Sequence, residues 1–382
     1  MASKTSLIQL QEWSDRCQPG KDRFIQGLPK LELHIHIEGT LSPELRWRLA
    51  QRNNILLYDK RMKHEYQSLQ QLQDAYLPKF VDARGEEPRS TADLLYFFEL
   101  FDEGLLVLKK EEDFYELAME YFARCAEENV RYAEVFFGPH SHRHRGIEAA
   151  SFMNGYRRAQ QDAEKKLGIV CQWIMLINRQ KPLEEAWENY RTVAIPYKDM
   201  VAGIGLAGNE IGKPPMLFEE VLAQAREDGF KITAHCDVDV PDTHNHIRQV
   251  LTTLSGTGAD RCDHGLNIAQ SEDLIRKTKE KNMGLTICPW GYVIYTPDHP
   301  IWLSLRRLHE AEVQITINSD DPPYMMGHYT EGNLSLLKVA GHFENSDIAK
   351  FVQNSINICW ASDALKNKMM YELMDYTEKN LK

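Results

Sequence analysis

His34 and His36 lie two residues apart at the end of the apolar stretch KLELHIH (30–36). Alternate residues of a strand face the same way, so both imidazoles point to one side. A third histidine, His235, sits at the end of KITAHC (231–236), and His264 near the end of DRCDHG (260–265). Two adjacent carboxylates, Asp320 and Asp321, come towards the end of VQITINSDDP (313–322). One histidine near a strand end is ordinarily a satisfied core residue. Six imidazole and carboxylate groups at four such ends are not explained by packing. Three imidazoles and a carboxylate form a borderline N/O donor set that suits Zn2+, and less well Fe2+ or Mn2+. Three or four protein ligands with room for water make a catalytic site, where the ion lowers the water's pKa to about 7. His264 and Asp321 remain to handle that water. The carboxylate can take its proton, and the imidazole can orient hydroxide or stabilise developing charge.

These groups must be brought together by the elements that carry them. The short apolar runs at 30–36, 130–137, 169–176, 200–208, 231–236, 260–265, 283–289 and 313–322 alternate with amphipathic stretches such as EEDFYELAMEYFARCAEE. Eight strands alternating with helices predict an α/β fold, a (β/α)8 barrel, in which strand C-termini converge on one catalytic face. Residues 41–110 are too long for a strand-to-strand crossover and carry several helical patterns, so a helical insertion is expected over the mouth as a lid. Residues 330–382 read as helices packed outside the barrel. With no repeat and no low-complexity linker, residues 1–382 are expected to form one domain.

Composition narrows the partners. The 382 residues are 43% hydrophobic and 26% charged, with a net charge of −11. That balance argues against nucleic acid or anionic membrane, which need clustered Lys and Arg. The expected partner is a small-molecule substrate, and nothing indicates an oligomeric state. Seven cysteines, without a CxxC pair, point to a reducing compartment. The polar N-terminus lacks the apolar core of a secretion signal, and no run is long enough for a membrane helix, so a cytoplasmic location is expected.

Several longer motifs are distinctive: LPKLELHIHIEGTL (28–41), YAEVFF (132–137), GIGLAGNEIGKPP (203–215), CDHG (262–265), CPWGYVIYT (288–296) and ITINSDDPPYMMG (315–327). From Leu28 to the C-terminus the chain resembles the adenosine/adenine deaminase family of the amidohydrolase superfamily. The resemblance implies His34, His36, His235 and Asp320 as ligands of one divalent metal, Zn2+ before Fe2+. It implies His264 and Asp321 as the groups that activate the water, and the backbone of Gly208 as a contact to a purine ring nitrogen. The adenine deaminase subgroup is the more similar, with HIEGTL where adenosine deaminases carry an aspartate in place of Glu38. That aspartate helps to hold a ribose, so Glu38 hints at a substrate without one.

The chain departs from the family on the substrate side. The family's His-Ala-Gly-Glu motif ends in the acid that protonates the ring nitrogen beside the attacked carbon. Here the same count gives His235, Cys236, Asp237 and Val238, and valine transfers no proton. Asp237 or Asp239 can take over if the loop follows a different path; otherwise both belong to a solvated loop or helix cap. Asp263 stands where the family usually has glycine, free to orient His264, contact substrate or face away. Asn209 and Glu210 are candidates to line an altered pocket. The expected activity is metal-dependent hydrolytic deamination of a purine-like or related amino-heterocycle, with release of ammonia. The alternative is hydrolysis of a non-purine C–N or ester bond by the same centre.

Overall fold

The computed structural model describes residues 7–61, 63–79 and 93–381. Residues 62 and 80–92 of the expected insertion, and Lys382 of the C-terminal helices, lie outside the described residues. Eight parallel strands form one sheet in chain order: β1 (Lys30–His36), β2 (Val130–Phe137), β3 (Val170–Asn178), β4 (Val201–Ala207), β5 (Lys231–Cys236), β6 (Arg261–His264), β7 (Gly284–Ile287) and β8 (Gln314–Ile317). The helices between them surround the sheet, which makes the chain a (β/α)8 TIM barrel.

Closure occurs at the segment after β8. Asn318 Oδ1 accepts the Leu33 N–H at 3.0 Å, Asp320 N–H donates to His34 O at 3.0 Å, and His36 N–H donates to Asp320 O at 3.2 Å. Asp320 makes this clasp with a left-handed backbone, φ +63°. The strand is shorter than the expected 313–322 because residues 318–321 turn out of the ladder to meet β1.

Side chains alternate across each strand. Phe136, Ile174, Leu176 and Ala207 form a small apolar cluster of their own, with Trp360 against it. Gly203 leaves the space that Trp360 fills: a Cβ there would come within 2.6 Å of the indole. The outward faces join the large core shared with the helices.

The N-terminal helix α1 (Leu7–Arg16) precedes the barrel. The insertion contributes α2 (Pro43–Asn53), α3 (Leu69–Tyr76) and α4 (Leu94–Gly104). α2 starts where Ser42 accepts the Leu45 N–H and Pro43 presets the first turn. A two-residue antiparallel ladder, Tyr58–Asp59 with His64–Glu65, also lies here; the helical expectation did not contain it. Tyr76 of α3 stacks on Tyr324 at 4.5 Å, and Phe97 of α4 meets Tyr295 and Tyr324. The insertion therefore packs on the segments that follow β7 and β8, at the C-terminal mouth. After β5 comes α5 (Thr243–Thr252), and the chain ends in α6 (Asn345–Ile358) and α7 (Asp363–Asn380). Both lie outside the sheet: Asn354 donates to Ile315 O, and Tyr376 to Phe24 O. All seven cysteines are free and buried. Among the described residues no helix is long and apolar enough to cross a membrane.

Candidate metal centre and active site

The donor atoms of His34, His36 and His235 lie within 4.8 Å of one another. Asp320 Oδ1 is 3.5 Å from His34 Nε2 and 3.3 Å from His36 Nε2, and His235 Nε2 is 3.3 Å from His36 Nε2. A hydrogen bond fixes which nitrogen of His34 is bare. Thr286 Oγ1 donates to Asp263 Oδ1, so at 2.8 Å it accepts from His34 Nδ1. The hydrogen of His34 therefore sits on Nδ1. Among the described residues its buried Nε2 has no hydrogen-bond partner. His235 Nδ1 lies 3.3 Å from Asp263 Oδ2, within ion-pair distance, and its Nε2 faces His36 Nε2. Burial lowers the pKa of both His34 and His235 to about 4, which keeps them neutral as ligands must be. Against the cost of burial, His34 and His36 hold Asp320 well below the usual carboxylate range. The bare Nε2 of His34, converging with nitrogens of His36 and His235 and with the Asp320 carboxylate, fits a zinc-type ion.

The other groups surround this centre. One nitrogen of His264 lies within 4.8 Å of the donor atoms of His34, Cys288 and Asp320. Burial pushes the Cys288 thiol well above its ordinary pKa. His264 has a left-handed backbone, φ +58°, and its Nδ1 is 2.8 Å from the phenol of Tyr292. Asp321 is buried, its Oδ1 without a hydrogen-bond partner among the described residues and seated over Gly39, where a Cβ would be 1.7 Å away. Burial and the adjacent Asp320 raise the Asp321 pKa well above normal.

Asp237 and Asp239 part company. Asp237 Oδ1 is 3.6 Å from His264 Nε2, with a partly exposed side chain at the mouth. The desolvating surroundings and the Glu210 carboxylate, partly offset by Arg179, raise its pKa to about 7. Asp239 turns away: its Oδ1 is 2.9 Å from His299 Nδ1 and accepts from Asn267 Nδ2. Val238 between them is buried.

What aims Asp237 is a buried network. Arg179, after β3, pairs with Glu210 at 2.9 Å and donates to His235 O. Glu210, after β4, takes His246 Nδ1 of α5 at 2.8 Å and accepts the Asp237 N–H at 3.0 Å. Glu210 and His246 are thus packing groups beneath the loop; neither lines a pocket or lies in solvent. Asp263 does not face His264: it backs His235 and takes Arg261 Nε at 3.4 Å. Glu38, 2% exposed, accepts from Gly138 N–H at 3.0 Å and lies 2.8 Å from His142 Nε2. Asn209 is exposed, its side-chain oxygen accepting the Ile211 N–H. Gly208 follows β4 with φ +94°, against Asn178. The structure brings His34, His36, His235, His264, Asp237, Asp320 and Asp321 together, and leaves Glu38, Asn209 and Asp239 outside that cluster. Thr286, Tyr292 and Arg179 went unnoticed in the sequence, since each is joined to its partner only by the barrel.

A model of the family described as adenosine deaminase matches residues 29–376. The chain belongs to that family. An uncharacterized deaminase of Schizosaccharomyces pombe is 35% identical over 355 residues, covering 93% of this chain and 97% of the relative. An adenine deaminase of Vibrio parahaemolyticus is 34% identical, covering 94% of this chain and 98% of its own. The crystal structure of an adenine deaminase from Arthrobacter aurescens superimposes with a TM-score of 0.80 at 29% identity, over 92% of this chain and 99% of that one. Family membership makes the chain an enzyme of the hydrolytic deaminase type.

Proposed function

We propose that this adenosine deaminase family member is a metal-dependent deaminase of an adenine-type base, acting as one catalytic unit with residues 41–110 as its lid. The observation that carries this reading is the convergence of three imidazoles and Asp320, with Asp321, His264 and Asp237 around the same point. His34, His36, His235 and Asp320 would hold the ion. Bound zinc supplies a water acidified to a pKa of about 7, hence a nucleophile at neutral pH.

The chain's own groups then divide the proton work. Asp321 takes a proton from the water as its oxygen bonds to the amino-bearing carbon. Asp237 gives its proton to the neighbouring ring nitrogen, and His264 stabilises charge on the added oxygen. Asp321 returns its proton to the amino group, the C–N bond breaks and ammonia leaves. The hydroxyl proton passes to Asp237, leaving a ring carbonyl and a ring N–H. With Asp237 at the mouth, the missing acid that motivated a different hydrolysis has a replacement. A free base as substrate is supported by Glu38, whose carboxylate is spent on Gly138 and His142 and is not offered to a ribose.

The test is ammonia release by zinc-loaded protein across adenine, adenosine, AMP, other aminopurines and aminopyrimidines. Turnover of a free base, lost in Asp320→Ala together with the bound metal, is the expected result. Silence across the panel with metal bound stoichiometrically would sink the proposal.

A further inference from the structure

We infer that Tyr292 is a positioning residue that holds His264 in one tautomer, with its hydrogen on Nε2, and so fixes this histidine as a hydrogen-bond donor. The inference deepens the proposed deaminase reading and rests on it for its kinetic consequence.

Tyr292 is buried, in the short helix Pro289–Tyr295 that follows β7. Among the described residues the phenol's hydrogen-bond partner is His264 Nδ1, at 2.8 Å. A buried phenol has one hydrogen to place, and leaving it without an acceptor is costly. The reverse arrangement, with Nδ1–H donating to the phenol oxygen, strands that hydrogen. The phenol therefore donates, and Nδ1 accepts. A neutral imidazole with an accepting Nδ1 carries its hydrogen on Nε2. The His34 and His235 rings pack against the same imidazole at centroid distances of 4.6 and 5.1 Å.

Two consequences follow. A nitrogen that carries hydrogen has no lone pair for a metal, so His264 stays out of the ligand set although it lies beside His34 and Asp320. His264 is also a donor towards the mouth, where its Nε2 is 3.6 Å from Asp237 Oδ1. That places it to stabilise an oxygen bearing developing negative charge, and leaves Asp321 as the base. His264 thus orients oxygen; it does not deprotonate water.

The same logic assigns the opposite tautomer to His34, whose Nδ1 meets an acceptor in Thr286. Two histidines with ring centroids 4.6 Å apart are thus set in opposite senses by one hydroxyl each, one for ligation and one for donation.

The experiment is long-range 1H–15N NMR of histidine-labelled, zinc-loaded protein, with the His264 signals identified by their loss in His264→Asn. The expected spectrum shows His264 protonated at Nε2 and His34 protonated at Nδ1. Tyr292→Phe should release His264 to a tautomer mixture while metal content stays unchanged. Its kcat should fall roughly 100-fold, with little change in KM. His264 protonated at Nδ1 in the unsubstituted protein would overturn the inference whatever the variant does. So would a Tyr292→Phe protein with unaltered His264 signals. Absence of turnover by the unsubstituted protein would instead count against the deaminase reading, and the NMR result would stand apart from it.

Discussion

Asp237 and Asp239 are two residues apart in sequence but have different partners, and that difference can be tested directly. Asn at position 237 keeps the size and the backbone anchor to Glu210 but carries no transferable proton. Asp237→Asn should lower kcat by roughly 10²–10⁴, the ordinary worth of a general acid, while zinc content is retained. Asp239→Asn should leave kcat close to the unsubstituted value, because Asp239 serves His299 and Asn267. Steady-state kinetics on both proteins decides it; equal losses would refute Asp237 as the acid. Six of the seven clustered residues were legible in the sequence, since strand ends in a barrel must converge. The seventh was narrowed only to Asp237 or Asp239, because counting from His235 reaches Val238. What selects Asp237 is a backbone hydrogen bond to Glu210, 27 residues away, which no local spacing reveals.

At the level of elements, the loops after β3 and β4 and helix α5 are joined under the site by Arg179, Glu210 and His246. Removing one partner of a fully buried ion pair leaves an uncompensated charge and typically costs about 3–5 kcal/mol. Arg179→Met should therefore lower unfolding stability by about that much, read from urea denaturation midpoints. It should also lower kcat, because the His235 carbonyl and the Asp237 loop lose their anchor. A protein as stable as the original would show that the pair is not the anchor. The strands themselves were legible: β1, β2 and β5 match the apolar runs residue for residue. The end of β8 was not, since residues 318–321 look like strand by composition yet serve as the clasp to β1. The ladder at 58–65 is two residues per strand, too short to leave a period in the sequence.

Across the whole molecule, alternation of strands and helices sufficed to read the barrel, whereas its long-range fastenings lie between segments hundreds of residues apart. His328 is one of these. It stacks on Trp290 at 4.2 Å, and its Nε2 is 2.8 Å from Ser14 Oγ of α1, tying the N-terminal helix to the barrel. Burial lowers its pKa to about 4, from about 6.5 in an unfolded chain. On acidification the unfolded chain takes up this proton first. The contribution is therefore complete above pH 6.5 and drains away as pH falls towards 4, reaching roughly 3 kcal/mol. Urea midpoints at pH 7.5, 6 and 5 should fall more steeply for the unsubstituted protein than for His328→Gln, which has no proton to take up. The variant should start lower at pH 7.5, having lost the ring stack, and the two curves should converge towards pH 5. Parallel curves would mean that the loss of stability in acid comes from other groups. Because the stack lies outside the metal cluster, zinc content should be the same in both proteins down to pH 6, which separates this fastening from loss of the ion.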